Sequence, residues 1–204
     1  MTKDMQVIAI TEKELDQLAM IFTKCISTKT VESLSTLLGE SIQCKIGKTH
    51  LLDISDLDEL TPAFSDTVNM SAVYLKQTGD INVGVLYYMP ERDGRRFAAK
   101  LLGKKILGSF TKLSRSSLSE TGNILSGSFF NALANEQDCK TFSDVPGFAV
   151  DTFRSVLEFP AMEIGIESQS LIATTAEFYS TSGLKMRMLI ILDPANAKKL
   201  LERH

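Results

Sequence analysis

The chain has 204 residues, enough for one domain or two small ones. With 44% hydrophobic and 23% charged residues it can bury a core, and a net charge of −3 offers no basic face to nucleic acid. No apolar run reaches the roughly 18 residues that a bilayer needs, and acids occupy MTKDMQVIAITEKELDQL where a secretory signal would be apolar, so neither membrane insertion nor export is expected.

Thr11 to Glu14, T-E-K-E, is a capping box that opens a helix. Leu15, Leu18, Phe22, Cys25 and Ile26 give that helix a buried stripe. A second helical pattern, Val31 to Leu38, ends at Gly39. Residues 41–54 read as extended, and Ser55 to Leu60 as an acidic loop. Ser65–Gln77 and Ile81–Met89 alternate like strands, joined through Thr78, Gly79 and Asp80 and stopped by Pro90. Gly94 to Leu102 is a short amphipathic helix, and Gly103 to Phe110 leads into the second half.

There the order recurs. A long helix spans 114–134, a loop reaches Pro146, and Ala149 to Phe159 reads as extended. Leu171–Tyr179 and Leu184–Leu192 form a hairpin around Ser180 to Gly183. Pro194 stops it before a last helix, Ala195 to Glu202. Gly79 aligns with Gly183, and Pro90 with Pro194, both at an offset of 104. The expectation is one α+β domain of two pseudo-repeats, about 11–103 and 111–203. Its antiparallel sheet should carry both long helices on one face.

The three cysteines, Cys25, Cys44 and Cys139, are odd in number and lack C-x-x-C spacing, which reads as free thiols in a reducing cytoplasm. His50 and His204 have no paired ligand spacing, so no metal site is expected. Gly47–Lys48 and Gly103–Lys104 lack the other residues of a phosphate-binding loop.

The helix at 114–134 carries the chemistry. Leu118, Leu125, Phe129, Ala132 and Leu133 form its apolar side, and Ser116, Glu120, Asn123 and Gly127 share the opposite one. Glu120 and Asn123 stand one turn apart. Gly122 and Gly127 each cost roughly 1 kcal/mol against alanine in a helix interior, which predicts a bare surface where another backbone approaches closely. A lone E-x-x-N is an ordinary polar face. The longer pattern is more specific.

Ser116, Glu120, Asn123 and Pro146 spell S-x3-E-x2-N, 22 residues, then Pro. This resembles the active-site signature of the CheC/CheX/FliY family, phosphatases of the chemotaxis response regulator CheY. The run ETGNILSGSFFNALAN is likewise similar to the family's E-[IV]-G-N-I-x-x-G-x-x-x-x-A-L. The resemblance implies a duplicated CheC-like domain that hydrolyses the aspartyl phosphate of phospho-CheY. It implies that Asn123 orients the attacking water and that Glu120 pairs with a lysine of the regulator, or acts as general base. Ser116 would cap or shape the start of the polar face. Pro146 would fix the loop at the site's edge, or be a plain turn proline. No cofactor of its own is implied, since magnesium would come with the phosphorylated partner.

An offset of 100 sets Asp16 under Ser116, Met20 under Glu120, Thr23 under Asn123 and Ile46 under Pro146. The first copy is therefore degenerate, and the chain resembles a single-site variant. Met20 is expected to pack under the neighbouring helix. Two non-catalytic roles remain. One is an adaptor for a response regulator or for the receptor deamidase CheD. The other is a structural role in the flagellar switch, as in FliY, which carries a further domain beyond the point where this chain ends.

Overall fold

Thr11 opens the first helix as the sequence predicts. The computed structural model describes residues 8–60, 68–105, 107–165 and 169–203. In α1 (Glu12–Cys25) the Glu14 N–H donates to the Thr11 hydroxyl at 3.3 Å, and the Thr11 N–H donates to the Glu14 carboxylate at 2.8 Å. The helix does not stop at Cys25. A π turn, Ile26–Thr30, joins it to α2 (Val31–Leu38), and Gly39 closes the run at φ +63°. The two helical patterns of the sequence are thus one long run. The extra residue of the π turn shifts the phase of the stripe and hides the continuity.

The chain continues through β1 (Ile42–Asp53) and a 3-10 stretch, Ile54–Leu60, where an acidic loop was expected. Next come β2 (Asn69–Gly79), β3 (Val83–Pro90) and α3 (Glu91–Leu101). Part of the strand expected from Ser65 lies outside the described residues. After α4 (Lys112–Gln137) come β4 (Thr141–Ser143), β5 (Gly147–Thr152) and α5 (Phe153–Gly165). β6 (Ser170–Ser180), β7 (Lys185–Leu192) and α6 (Pro194–Leu201) complete the fold.

α5 corrects the sequence reading, which extended a strand to Phe159. Phe153, Val156, Leu157, Pro160, Ala161 and Ile164 recur at three- and four-residue steps, and all are buried. That stripe outweighs the backbone hydrogen bond lost at Pro160.

All strand pairs are antiparallel. The order is β1-β6-β7-β3-β2, and β4 and β5 both pair with β2. β1 therefore joins the hairpin of the second half, while β5 joins the hairpin of the first. The closing pairs Gln77–Val83 and Tyr179–Lys185 lie 102 residues apart. The alignment of Gly79 with Gly183 at 104 is thus displaced by two. Gly79 ends β2, whereas Gly183 sits inside its turn at φ +80°.

α1, α2 and α4 cover one sheet face, as expected for the two long helices. Leu18, Phe22, Leu125 and Phe129 pack there on Val73, Leu75, Val85 and Met188. α5 covers part of the other face, where Leu157 and Ala161 meet Leu86, Tyr88 and Leu189. The long runs cross in opposite directions. Lys24 pairs with Glu136, Phe22 meets Phe129 at 6.2 Å, and the Ser33 and Ser128 hydroxyls bond at 2.6 Å.

α4 lies close against the sheet at Gly122. A Cβ there would lie 2.5 Å from Val73 Cγ1 and 3.4 Å from Leu75 Cδ1. The bare surface predicted at Gly122 is therefore used, though by side chains of β2 and not by a second backbone. Gly122→Val should destabilise the protein by about 1–3 kcal/mol through overpacking, read as a lower urea midpoint.

Across β6 and β7, Glu177 accepts from Arg187 Nε at 2.6 Å and from the Tyr179 hydroxyl. Burial alone would raise its carboxyl. The Tyr179 and Arg187 bonds overcome this and hold it at about 2, below the ordinary 4.5. A depressed folded value contributes stability that is present above 4.5 and is lost as pH falls through 2. Acid titration of stability should therefore be shallower in Glu177→Gln across that window.

Candidate functional site

Packing sets the rotation of α4. The side that carries Leu118, Gly122, Leu125 and Phe129 is buried, so Ser116, Glu120 and Asn123 face solvent together, with Gly127 half-buried beside them. Each is a turn or less from the next, on a 26-residue helix. Among the described residues, the Glu120 carboxylate and the Asn123 carboxamide take no internal hydrogen bond or ion pair. Both groups are free to meet another molecule.

Ser116 does not cap the helix. The cap is Thr111, whose hydroxyl accepts from Ser114 N–H at 3.2 Å while the Thr111 N–H donates to Ser114 Oγ at 2.7 Å. The helix starts earlier than the apolar stripe suggested, which leaves Ser116 exposed in its second turn. At Gly127 the bare surface faces nothing inside the protein, since a Cβ there meets no atom within 4 Å.

Pro146 lies between β4 and β5. The next two residues pair with β2, Gly147 opposite Tyr74 and Phe148 opposite Val73. Val73 is the residue beneath Gly122, so the strand that follows Pro146 lies next to the strand on which α4 packs. Arg115 lies over the Phe148 ring at 5.7 Å, which ties the start of α4 to the same strand. Ser116, Glu120, Asn123 and Gly127 thus share one side of α4, and Pro146 precedes the strand that pairs with β2.

The first-half residues Asp16, Met20 and Thr23 are exposed on α1. Met20 does not pack under a helix. It is 72% exposed, because α1 turns Leu18, Ile21, Phe22 and Cys25 inward and leaves position 20 outside. The two triads are not brought together. Thr23 neighbours Lys24, which pairs with Glu136, 13 residues beyond Asn123 and so about 20 Å along α4.

Sequence reasoning missed the apolar residues around the polar pair. Leu113 is 58% exposed, Ile124 36% and Val145 90%. Leu113 and Ile124 fall on the stripe of Glu120, at steps of seven and four, and that spacing was the available signal.

Among the described residues no cluster of three or more His, Cys, Asp or Glu could hold a metal ion. No described helix is long and apolar enough to cross a membrane. All three cysteines are free. Burial pushes the Cys25 thiol to about 12 and the Cys44 thiol to about 11, so neither is a ready nucleophile at neutral pH.

No protein-family profile matches the chain. It is 27% identical over 180 residues to the CheY-P phosphatase CheC of Bacillus subtilis (strain 168), spanning 84% of each chain. In shape it matches FliY of Thermotoga maritima with a TM-score of 0.74, at 14% identity over 96% of this chain and 97% of that one. It also matches a chain of the CheX–CheY–BeF3–Mg complex of Borrelia burgdorferi, with a TM-score of 0.53 at 16% identity over 85% and 97%. The chain is thus a homologue of CheC with the fold found in FliY and CheX.

Since the site side chains support nothing internally, Asn123→Ala and Glu120→Ala should each change stability by less than about 0.5 kcal/mol. Urea unfolding of the two variants beside the wild type checks this.

Proposed function

We propose that this CheC homologue hydrolyses the aspartyl phosphate of a phosphorylated CheY-type response regulator. The observation that carries the reading is the outward-facing pair Glu120 and Asn123, one turn apart on a rigid helix and free of internal partners. Two named relatives support it: the similar CheC is a CheY-P phosphatase, and the similar CheX is seen with CheY and beryllofluoride.

An acyl phosphate is already prone to hydrolysis. What it needs is a water held in line with the phosphorus. The Asn123 carboxamide can accept a hydrogen bond from that water through its oxygen and donate to a phosphoryl oxygen through its nitrogen. Water oxygen then bonds to phosphorus, the bond from phosphorus to the aspartyl oxygen breaks, and the water's proton leaves to solvent. The products are the regulator's carboxylate and inorganic phosphate. No covalent nucleophile on this chain is required.

Glu120 would dock the regulator by pairing with a cation beside its phosphorylated aspartate. Magnesium would arrive with the regulator. Ser116 and Pro146 would shape the rim, and Gly122 acts as a positioning residue by seating α4 on β2. The triad Asp16, Met20 and Thr23 has no carboxamide at the place of Asn123, so the chain would turn over one regulator at one site.

The fold alone, found in FliY as well as in CheX, does not carry turnover, and the second reading is a protein that docks a regulator, or CheD, without it. One assay separates the two. With acetyl-phosphate-charged CheY of the same organism, Asn123→Ala should lose about a hundredfold in turnover, equivalent to about 2.7 kcal/mol. Full activity in Asn123→Ala would overturn the mechanism. Binding without hydrolysis by the wild type would favour the adaptor.

A further inference from the structure

The net charge of −3 conceals an uneven distribution. Residues 91–115 hold eight Lys and Arg against two acids, Glu91 and Asp93, a balance of +6 that leaves the rest of the chain at −9. Internal partners claim half of the eight. Lys100 pairs with Glu40, Arg95 pairs with Glu91 at 2.9 Å, and Arg92 and Arg96 share Asp93 at 3.8 and 3.3 Å. The side chains of Arg92 and Arg96 are still 79% and 50% exposed. Lys104, Lys105, Lys112 and Arg115 are exposed and meet no carboxylate among the described residues.

The fold brings these charges to one corner. Arg92, Arg96, Lys100 and Lys104 follow at four-residue steps along α3 and just past its end. Gly103 turns the chain at φ +63°, and the Lys104 N–H donates back to the Ala99 carbonyl at 2.8 Å. Phe110 then returns to α3, where a Cβ on Gly94 would lie 3.2 Å from Phe110 Cζ. The Phe148 ring meets both Phe110, at 5.4 Å, and Arg115, at 5.7 Å. α4 thus starts beside the first turns of α3, and its N-terminus adds the positive end of a 26-residue helix dipole.

We propose that this corner between α3 and the start of α4 is a peripheral contact for an anionic phospholipid bilayer. The row from Arg92 to Lys104 extends about 18 Å, too broad for one small anion. Lysine carries a point charge on a rotatable stem. Such ends follow diffuse, laterally mobile phosphates better than they fit a fixed set of carboxylates on an acidic protein. A cluster of about four to eight cations suits an anionic lipid surface. Charges act over about 8 Å at physiological salt, so distant acids of the chain do not cancel the corner. Adsorption of this kind needs no apolar span, and no described helix offers one. Asn123 lies 11 residues beyond Lys112, about 16 Å along α4. The corner is therefore distinct from the polar pair, and the proposal does not rest on the phosphatase reading.

The test mixes the full chain with vesicles of phosphatidylglycerol and phosphatidylcholine, with vesicles of phosphatidylcholine alone, and with soluble polyglutamate. Vesicle binding is read by co-sedimentation and polymer binding by titration. The chain should bind the phosphatidylglycerol vesicles and not the neutral ones, and should be released at about 1 M salt, where the screening length is about 3 Å. Lys104→Gln with Lys105→Gln, both in an exposed loop, should weaken vesicle binding about 25-fold, at about fivefold per cation, with the melting temperature unchanged. Lys13→Gln with Lys29→Gln removes the same charge from exposed positions on the first helical run and should change binding by less than about twofold. Equal weakening by the two pairs overturns the corner, since net charge alone would then govern adsorption. A wild-type protein that binds no phosphatidylglycerol vesicle overturns the bilayer, and binding to polyglutamate in that case assigns the corner to an acidic protein.

Discussion

The packing of α4 on β2 at Gly122 governs the rest of the structure. With no side chain between them, helix and strand come together until Val73 and Leu75 touch the helix backbone. Leu118, Leu125, Phe129 and Leu133 then lock its rotation, each almost wholly buried. Turning the helix by one residue would drive the Glu120 carboxylate toward the core without a partner, at a cost of several kcal/mol. The outward aim of the polar pair is thus a consequence of core packing.

The first long helix shows what happens when that constraint is absent. The position that matches Gly122 is Phe22, fully buried and stacked near Phe129. A phenyl ring there packs against Phe129 between the crossing helices. A π turn follows, and the exposed residues Asp16, Met20 and Thr23 offer neither a carboxylate nor a carboxamide at the two matching places. One helix carries the candidate site, and the other serves the core.

Much of this was legible in the residues. Alternation located both hairpins, because β2, β3, β6 and β7 bury residues against one or both faces of a covered sheet. Three-and-four spacing located α4 and separated its buried side from Glu120 and Asn123. Other features depended on tertiary context. The π turn shifts the stripe and made one helix look like two. The strand ending at Thr152 runs straight into α5 with no glycine between them, and the change is marked only by Thr152 itself, whose hydroxyl accepts from the Ser155 N–H at 3.3 Å. The glycines at 79 and 183 suggested an offset that the ladders do not keep, since hairpin register is set by cross-strand pairing and not by turn composition. Met20 is apolar, yet its helical phase sets it outside and not under the neighbouring helix. The placing of the strand after Pro146 beside β2 needed the β2–β5 ladder, which no local pattern encodes.

The exchange of strands between the two halves has a consequence for synthesis. Among the described strands β1 pairs with β6, so Ile42 waits for Ser180 and Asp53 for Ser170. More than a hundred residues must leave the ribosome before that edge is paired, and sequence separation of this kind slows folding. Meanwhile β1 hangs as an unfinished border that other nascent chains could join. Lys45 and Lys48, two positive charges set into that border, discourage such premature company until the proper strand emerges.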